Sequence, residues 1–216
     1  MMKKLLLSQA ELDKFISVDR IHSIPTVLGV AHLDVIFQVK VDGRELWQYS
    51  LWKAMLQRCF CQKFKLRQSA YRDVTCCEVW LSFASFFEWV NKEVEYTGKP
   101  NGFVLDKDLI IKGNRIYSPE ACSFVPQAVN HLLSGSGATR GQWSVGVSFD
   151  KLHGRFQASM SCRGRLKNLG RFDTEDDAFH AYKSAKESHI KIVALQHKAA
   201  LKPAAFESLM NWSVEP

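Results

Sequence analysis

Apolar positions along this 216-residue chain recur with two different periods, and the change falls near residue 140. Tyr49, Trp52, Met55, Leu56 and Cys59 follow helical spacing and predict a helix from about Gln48 to Phe60. Trp80, Phe83, Phe86, Phe87 and Val90 predict a second amphipathic helix, ending before Gly98-Lys99-Pro100. Further upstream, Ser8-Gln9-Ala10-Glu11 has capping-box form ahead of a short Leu12, Phe15, Ile16 stripe. Asp34 to Val41 alternates as a strand does, and Asp42-Gly43 is a turn pair able to reverse it. Beyond residue 140 the period becomes two. Trp143–Phe149, Arg155–Ser161 and Leu166–Phe172 read as three short strands, with turns at Lys151–Gly154 and Cys162–Arg165. Thr174 then opens a helix with Asp177 as a partial capping box, and Glu175 and Asp176 favour its positive dipole end. Ala178, Phe179, Tyr182, Ala185, His189, Val193 and Ala194 keep one face apolar to about His197.

The same pattern divides the chain. Residues 1–45 form an N-terminal accessory segment in which no chemistry is legible, and residues 46–134 a helix-rich unit with a basic loop at Lys63, Lys65, Arg67 and Arg72. Residues 135–141, Gly/Ser-rich and containing Arg140, read as a flexible linker. Residues 142–200 form a three-stranded antiparallel sheet backed by one helix. Residues 201–216 are a tail in which Phe206–Trp212 is a short helix candidate. The fold class is α+β.

Composition adds a direction. Net charge is +7, and residues 139–202 carry 12 Lys and Arg against 6 Asp and Glu, a net +6, leaving +1 for the remainder. The positive field therefore belongs to the sheet unit, as expected of a nucleic-acid partner. Met1–Leu7 begins like a signal peptide, but its apolar run is too short, and no stretch reaches transmembrane length. The expectation is a cytoplasmic protein without a membrane partner. Its six cysteines are then reduced thiols. Zinc is the weaker reading of them, because adjacent Cys76 and Cys77 cannot readily bend around one ion.

On the middle strand Phe156, Ala158 and Met160 alternate with Arg155, Gln157, Ser159 and Ser161. The second set makes a polar face of the kind that fits the major groove, where Arg and Gln read base edges bidentately. Arg163, Arg165, Lys167 and Arg171 are placed to hold phosphates around it. A bland alternative is an ordinary solvated face of an α+β domain.

Val145-Gly146-Val147, Gly154-Arg155-Phe156-Gln157-Ala158, Leu169-Gly170-Arg171-Phe172 and Thr174–Phe179 followed by Ala181-Tyr182 resemble, in that order, the APETALA-type DNA-binding domain. That domain occurs in plant ethylene-response factors and phage homing endonucleases. The resemblance covers about residues 143–195 and implies double-stranded DNA read by the sheet face opposite the helix. By position it implies Ser148, Arg155, Gln157, Ser159, Ser161 and Asn168. Several Arg and Trp positions of the family are Ser or Asn here, so the target sequence does not carry over.

The preceding unit is similar to the HNH, or His-Me finger, endonucleases of phages. Trp52-Lys53-Ala54-Met55, Arg58-Cys59, Tyr71–Val74, Trp80-Leu81, Phe83, Leu105-Asp106-Lys107-Asp108, Gly113-Asn114, Tyr117–Glu120 and Asn130 carry the likeness over about residues 47–133. It implies a ββα finger in which Asp106 and Asn130 hold Mg²⁺ or another divalent ion against the scissile phosphate. The family's histidine base is replaced by Lys107. Imidazole is neutral near pH 7 and a normal lysine is not. Lys107 itself, or His131 from the end of the short helix, is the remaining candidate for that role. The same residues also read as a metal-free salt-bridged turn, with Asn114 capping at Gly113 and Asn130 at a helix end.

These readings favour a sequence-specific DNA-binding protein of the phage or mobile-element homing-endonuclease type, in a bacterial host cell. Its cleavage is lost or weakened, and it acts as a repressor or site-blocking protein. The alternative is an active metal-dependent HNH endonuclease; a weaker third is a protein-interaction module with an incidental basic sheet.

Overall fold

The computed structural model describes residues 26–97, 102–133, 142–162 and 164–216. The predicted Ser8–Ile16 stripe, the 135–141 linker with Arg140, and Arg163 lie outside the described residues. The chain is mixed α+β, with six helices among the described residues and small sheets, and divides into two compact units at 124/125. That division falls ten residues ahead of the Gly/Ser stretch.

The first unit contains β1 (Thr26–Val27), β2 (Ala31–His32), β3 (Lys40–Val41), β4 (Arg44–Glu45), α1 (Trp47–Phe60), α2 (Gln62–Arg67), β5 (Thr75–Cys76), α3 (Phe83–Thr97), β6 (Phe103–Asp106) and β7 (Ile116–Tyr117). β8 (Ser123–Pro126) straddles the division. The sheets here are two-stranded: β1–β2, β3–β4, the parallel pair β5–β7, and β6–β8.

Aromatic packing holds this unit. Trp52, Met55, Leu56, Trp80, Phe83, Phe86 and Val90 have no exposed surface. Each large ring so buried is worth roughly 2–3 kcal/mol. Trp52 Nε1 donates to the Trp80 carbonyl at 2.7 Å, so the indole enters the core with its polar atom satisfied. Trp80 sits in a 3₁₀ turn (Glu78–Leu81), not in the helix that the stripe predicts. The reason is local: Ser82 Oγ accepts from Ser85 N–H (3.1 Å) and Asp34 Oδ1 from Ala84 N–H (2.8 Å), so the helix is capped after the tryptophan.

Asp34 belongs to the segment in which no chemistry was legible, and that segment packs into the same core. Ala31 is fully buried, and Phe37 lies against Phe83 and Phe87 at 6.5 and 5.2 Å. The predicted 34–41 strand alternates in exposure, but it pairs only at Lys40–Val41, where Asp42 and Gly43 take positive φ and turn the chain back into β4. The predicted basic loop is α2 followed by a 3₁₀ turn (Ser69–Tyr71).

The second unit contains α4 (Gln127–Leu133), β9 (Val147–Asp150), β10 (Arg155–Cys162), β11 (Arg165–Phe172), α5 (Glu175–Gln196) and α6 (Pro203–Met210). The sheet order is β11–β10–β9, antiparallel throughout, with α5 packed on all three strands. Ala158 and Met160 meet Ala178, Phe179 and Tyr182 in its core. β9 starts later than predicted because Gly146 takes φ +77°, and there the backbone lies against the Tyr182 ring. Thr174 caps α5: its Oγ1 accepts from Asp177 N–H at 3.1 Å and its hydroxyl donates to Asp177 Oδ2 at 2.6 Å. Glu175 ties the helix start to the segment that leads into β9, accepting from Ser144 N–H and hydroxyl at 2.7 and 2.6 Å. The tail folds onto the same unit, with Lys183 Nζ donating to Ser213 Oγ (2.8 Å) and the Val214 carbonyl (2.7 Å).

Candidate nucleic-acid interface

Directly opposed residues of an antiparallel pair share a face, so the register decides which side chains the sheet presents together. Gln157 pairs with Ser148 on one side and Arg171 on the other. Arg155 pairs with Asp150, and Ser159 with Asn168. Ser148, Arg155, Gln157, Ser159, Ser161, Asn168 and Arg171 therefore stand on one face, opposite Ala158 and Met160, which pack toward α5. Among them Ser148, Arg155, Ser161, Asn168 and Arg171 are exposed.

The register shifts between Ala158 and Ser159, where Gly170 and then Asn168 are the partners and Leu169 has none. This bulge reverses the alternation of β11 below it. Lys167 now pairs with Met160 and Arg165 with Cys162, so both lie on the α5 side, exposed toward the free end of the hairpin. Leu166, 76% exposed, takes the outer face beside Ser161. Simple alternation from Arg171 would have given the opposite assignment. Asn168 Oδ1 accepts from Gly170 N–H at 2.9 Å and pins the bulge.

Two acids also stand at this face, and both hold arginines. Arg155 donates to Asp173 Oδ1 from Nε at 2.8 Å, with Nη2 at 2.6 Å from the same oxygen. Arg171 reaches across β10 and donates from Nε to Asp150 Oδ2 at 2.8 Å. Asp150 is the more enclosed acid, its side chain 15% exposed against 79% for Asp173. Burial alone would raise its pKa, but hydrogen bonds from Arg171 and His153 outweigh that and hold it at about 2.

The Asp106 turn is built differently. Asp106 ends β6, is 8% exposed, and its Oδ1 accepts from the backbone N–H of Asp108 (2.9 Å) and Leu109 (2.7 Å). Burial and neighbouring Asp108 raise its pKa despite those two bonds. Lys107 Nζ pairs with Asp108 Oδ2 at 3.0 Å. An ammonium so engaged has three donors and no site to accept a proton. Asn114 fastens the Gly113 turn, donating to the carbonyls of Lys107 and Ile116 at 2.7 Å each and accepting from Ile116 N–H at 3.2 Å.

Asn130 lies within α4 and not at a helix end, and exposed His131 has Gln127 Nε2 at 3.4 Å on the same helix. Asp106 and Lys107 belong to the first unit, Asn130 and His131 to the second. A carboxylate and an amide are suitable donors for a hard divalent ion, but Oδ1 of Asp106 is already committed to its own turn. Among the described residues no group of three or more His, Cys, Asp or Glu is arranged to hold a metal.

The cysteines are free thiols. Cys59 and Cys122 are buried in the first unit's core, with Cys76 and Cys77 packed against it. Burial pushes the Cys59 thiol up to about 12 and raises Cys76 and Cys122 as well. No helix among the described residues is long and apolar enough to cross a membrane. Comparisons with protein-family models, curated proteins and solved structures give no match to this chain.

Proposed function

We propose that this protein binds double-stranded DNA sequence-specifically through the outer face of β9–β10–β11, and that it acts as a repressor or site-blocking protein of homing-endonuclease type with lost or weakened cleavage. One observation carries the reading. Ser148, Arg155, Gln157, Ser159, Ser161, Asn168 and Arg171, scattered over 24 residues of sequence, fall on a single polar face. A three-stranded face of this kind fits the major groove, where Gln and Arg make paired hydrogen bonds to adenine and guanine edges. Arg165 and Lys167, at the rim on the other side, are the phosphate-holding candidates of the same hairpin, and outer-face Leu166 is suited to a thymine methyl.

The engaged state of Lys107 supports the non-cleaving form of the proposal. It is an ion-paired ammonium where a base would have to accept a proton.

A second reading, residual metal-dependent nicking, also has a specific observation in its favour. Asp106 is retained at the end of β6, whose sheet partner is β8. Its carboxyl is buried at a cost that asparagine would avoid, as expected where a charged group serves a purpose other than folding. Asp106 would be the first unit's carboxylate toward a divalent ion, which when bound would neutralise charge on the scissile phosphate.

Selection of binding sites from random duplexes, scored for binding and cutting with Mg²⁺ or Mn²⁺ and a chelator control, separates the two. Intact DNA at full occupancy supports the repressor. Metal-dependent nicking that Asp106→Ala abolishes supports the enzyme.

A further inference from the structure

We infer that Asp150 is a specificity-determining residue of this sheet. It positions the Arg171 guanidinium across the middle strand, between the levels of Gln157 and Arg155, and opposes binding to bare phosphate. The inference rests on the sheet-reader proposal and deepens it.

The geometry is that of a built hub. Asp150 Oδ1 accepts from the backbone N–H groups of Leu152 (3.1 Å) and His153 (3.3 Å), which fixes the carboxylate to the β9–β10 turn. The other oxygen, Oδ2, takes His153 Nδ1 at 2.7 Å and Arg171 Nε at 2.8 Å. Arg171 starts on β11 opposite Gln157, and Asp150 stands on β9 opposite Arg155, so the side chain crosses the middle strand diagonally, from the level of Gln157 to that of Arg155. A guanidinium has five N–H donors. Engaging Nε leaves the terminal nitrogens for a ligand, while the side chain is ordered before binding.

Two consequences follow from the same contact. Ordering a long side chain in advance removes that cost from the binding step. A carboxylate on the DNA-facing surface also disfavours association driven by phosphate charge alone, so it penalises wrong sequences more than the right one. Asp173 provides an internal control. It carries the same charge and holds Arg155, but it is mostly exposed, where an ion pair contributes little.

The test uses the full chain as wild type, D150N and D173N. The probes are the duplex recovered by selection with the wild type and a scrambled duplex of equal length, at one salt concentration. Asparagine keeps an acceptor for the turn but cannot accept at both positions. The target-to-scrambled affinity ratio is expected to fall about tenfold in D150N, partly through tighter scrambled binding, and by less than about threefold in D173N. In the free protein, the Arg171 Nε–H nitrogen relaxation should report a rigid side chain in wild type and a mobile one in D150N. Should D150N be unfolded at the assay temperature, R171K takes its place, with the same expected fall. A D150N ratio within threefold of wild type, or equal Arg171 mobility in both proteins, overturns the inference. A wild type that does not distinguish the duplexes overturns the sheet-reader proposal, while the Arg171 signal still decides whether Asp150 positions it.

Discussion

Arg171 and Asp150 are 21 residues apart and on non-adjacent strands, yet Nε of one lies 2.8 Å from Oδ2 of the other, across the middle of the sheet. The contact makes a titratable link between the two edge strands. Asp150 is held at about 2, below the roughly 3.9 of an unstructured aspartate. A depressed carboxyl contributes stability that is present above the unfolded value and lost as pH falls through the folded one. Unfolding of the second unit should therefore become easier between about pH 4 and pH 2. Thermal unfolding across that range checks this, and Asp150→Asn should flatten the Asp150 part of the slope.

Gly146 tests the packing beneath the same face. Its φ is +77°, and a Cβ there would stand 2.0 Å from Tyr182 Cδ2. Gly146→Ala combines left-handed backbone strain with overpacking, together about 3 kcal/mol. Thermal or urea unfolding should record that loss, with binding lost in parallel because α5 no longer seats on the sheet.

Asp106 gives a prediction of opposite sign. Burial and neighbouring Asp108 raise its carboxyl, so folding makes ionisation of this group more costly than it is in the unfolded chain. Stability linked to this group is present below the unfolded value and lost as pH rises through the folded one. Asp106→Asn keeps an oxygen for the Asp108 and Leu109 N–H groups without the charge. It should stabilise the first unit at pH 7. Asp106→Ala loses both bonds and should destabilise by roughly 1–3 kcal/mol. Urea unfolding of the two variants beside wild type decides it.

Much of the second unit was legible because its signals are local. Strand alternation, the Lys151–Gly154 turn and the Thr174 cap each depend on residues a few positions apart, and β10, β11 and α5 lie within a residue or two of the expected bounds. The bulge at Leu169 was not legible, since two β11 residues opposing one on β10 look like ordinary alternation in sequence. That is why Arg165 and Lys167 stand on the other face from the one their spacing suggests, and why Leu166 went unnoticed. Asp150 and Asp173 were also missed: their importance lies in cross-strand partners, which spacing does not reveal.

The first unit was read through its motifs, and many of those residues serve packing. Trp52, Val74, Trp80, Phe83, Leu105 and Tyr117 are buried. Motif spacing alone does not separate such packing positions from functional ones. The capping of α3 by Asp34 joins residues 50 apart and had no sequence signal.

The central claim is that the outer face of β9–β10–β11 reads duplex DNA, and Arg155 and Gln157 are its test. Selection from random duplexes should enrich a defined sequence with the wild-type chain. The Arg155→Ala, Gln157→Ala variant, folded to the same thermal midpoint within a few degrees, should lose that preference while retaining salt-sensitive, non-specific binding through the remaining cations. An identical enriched sequence from the variant, or no enrichment with the wild type, would contradict the account.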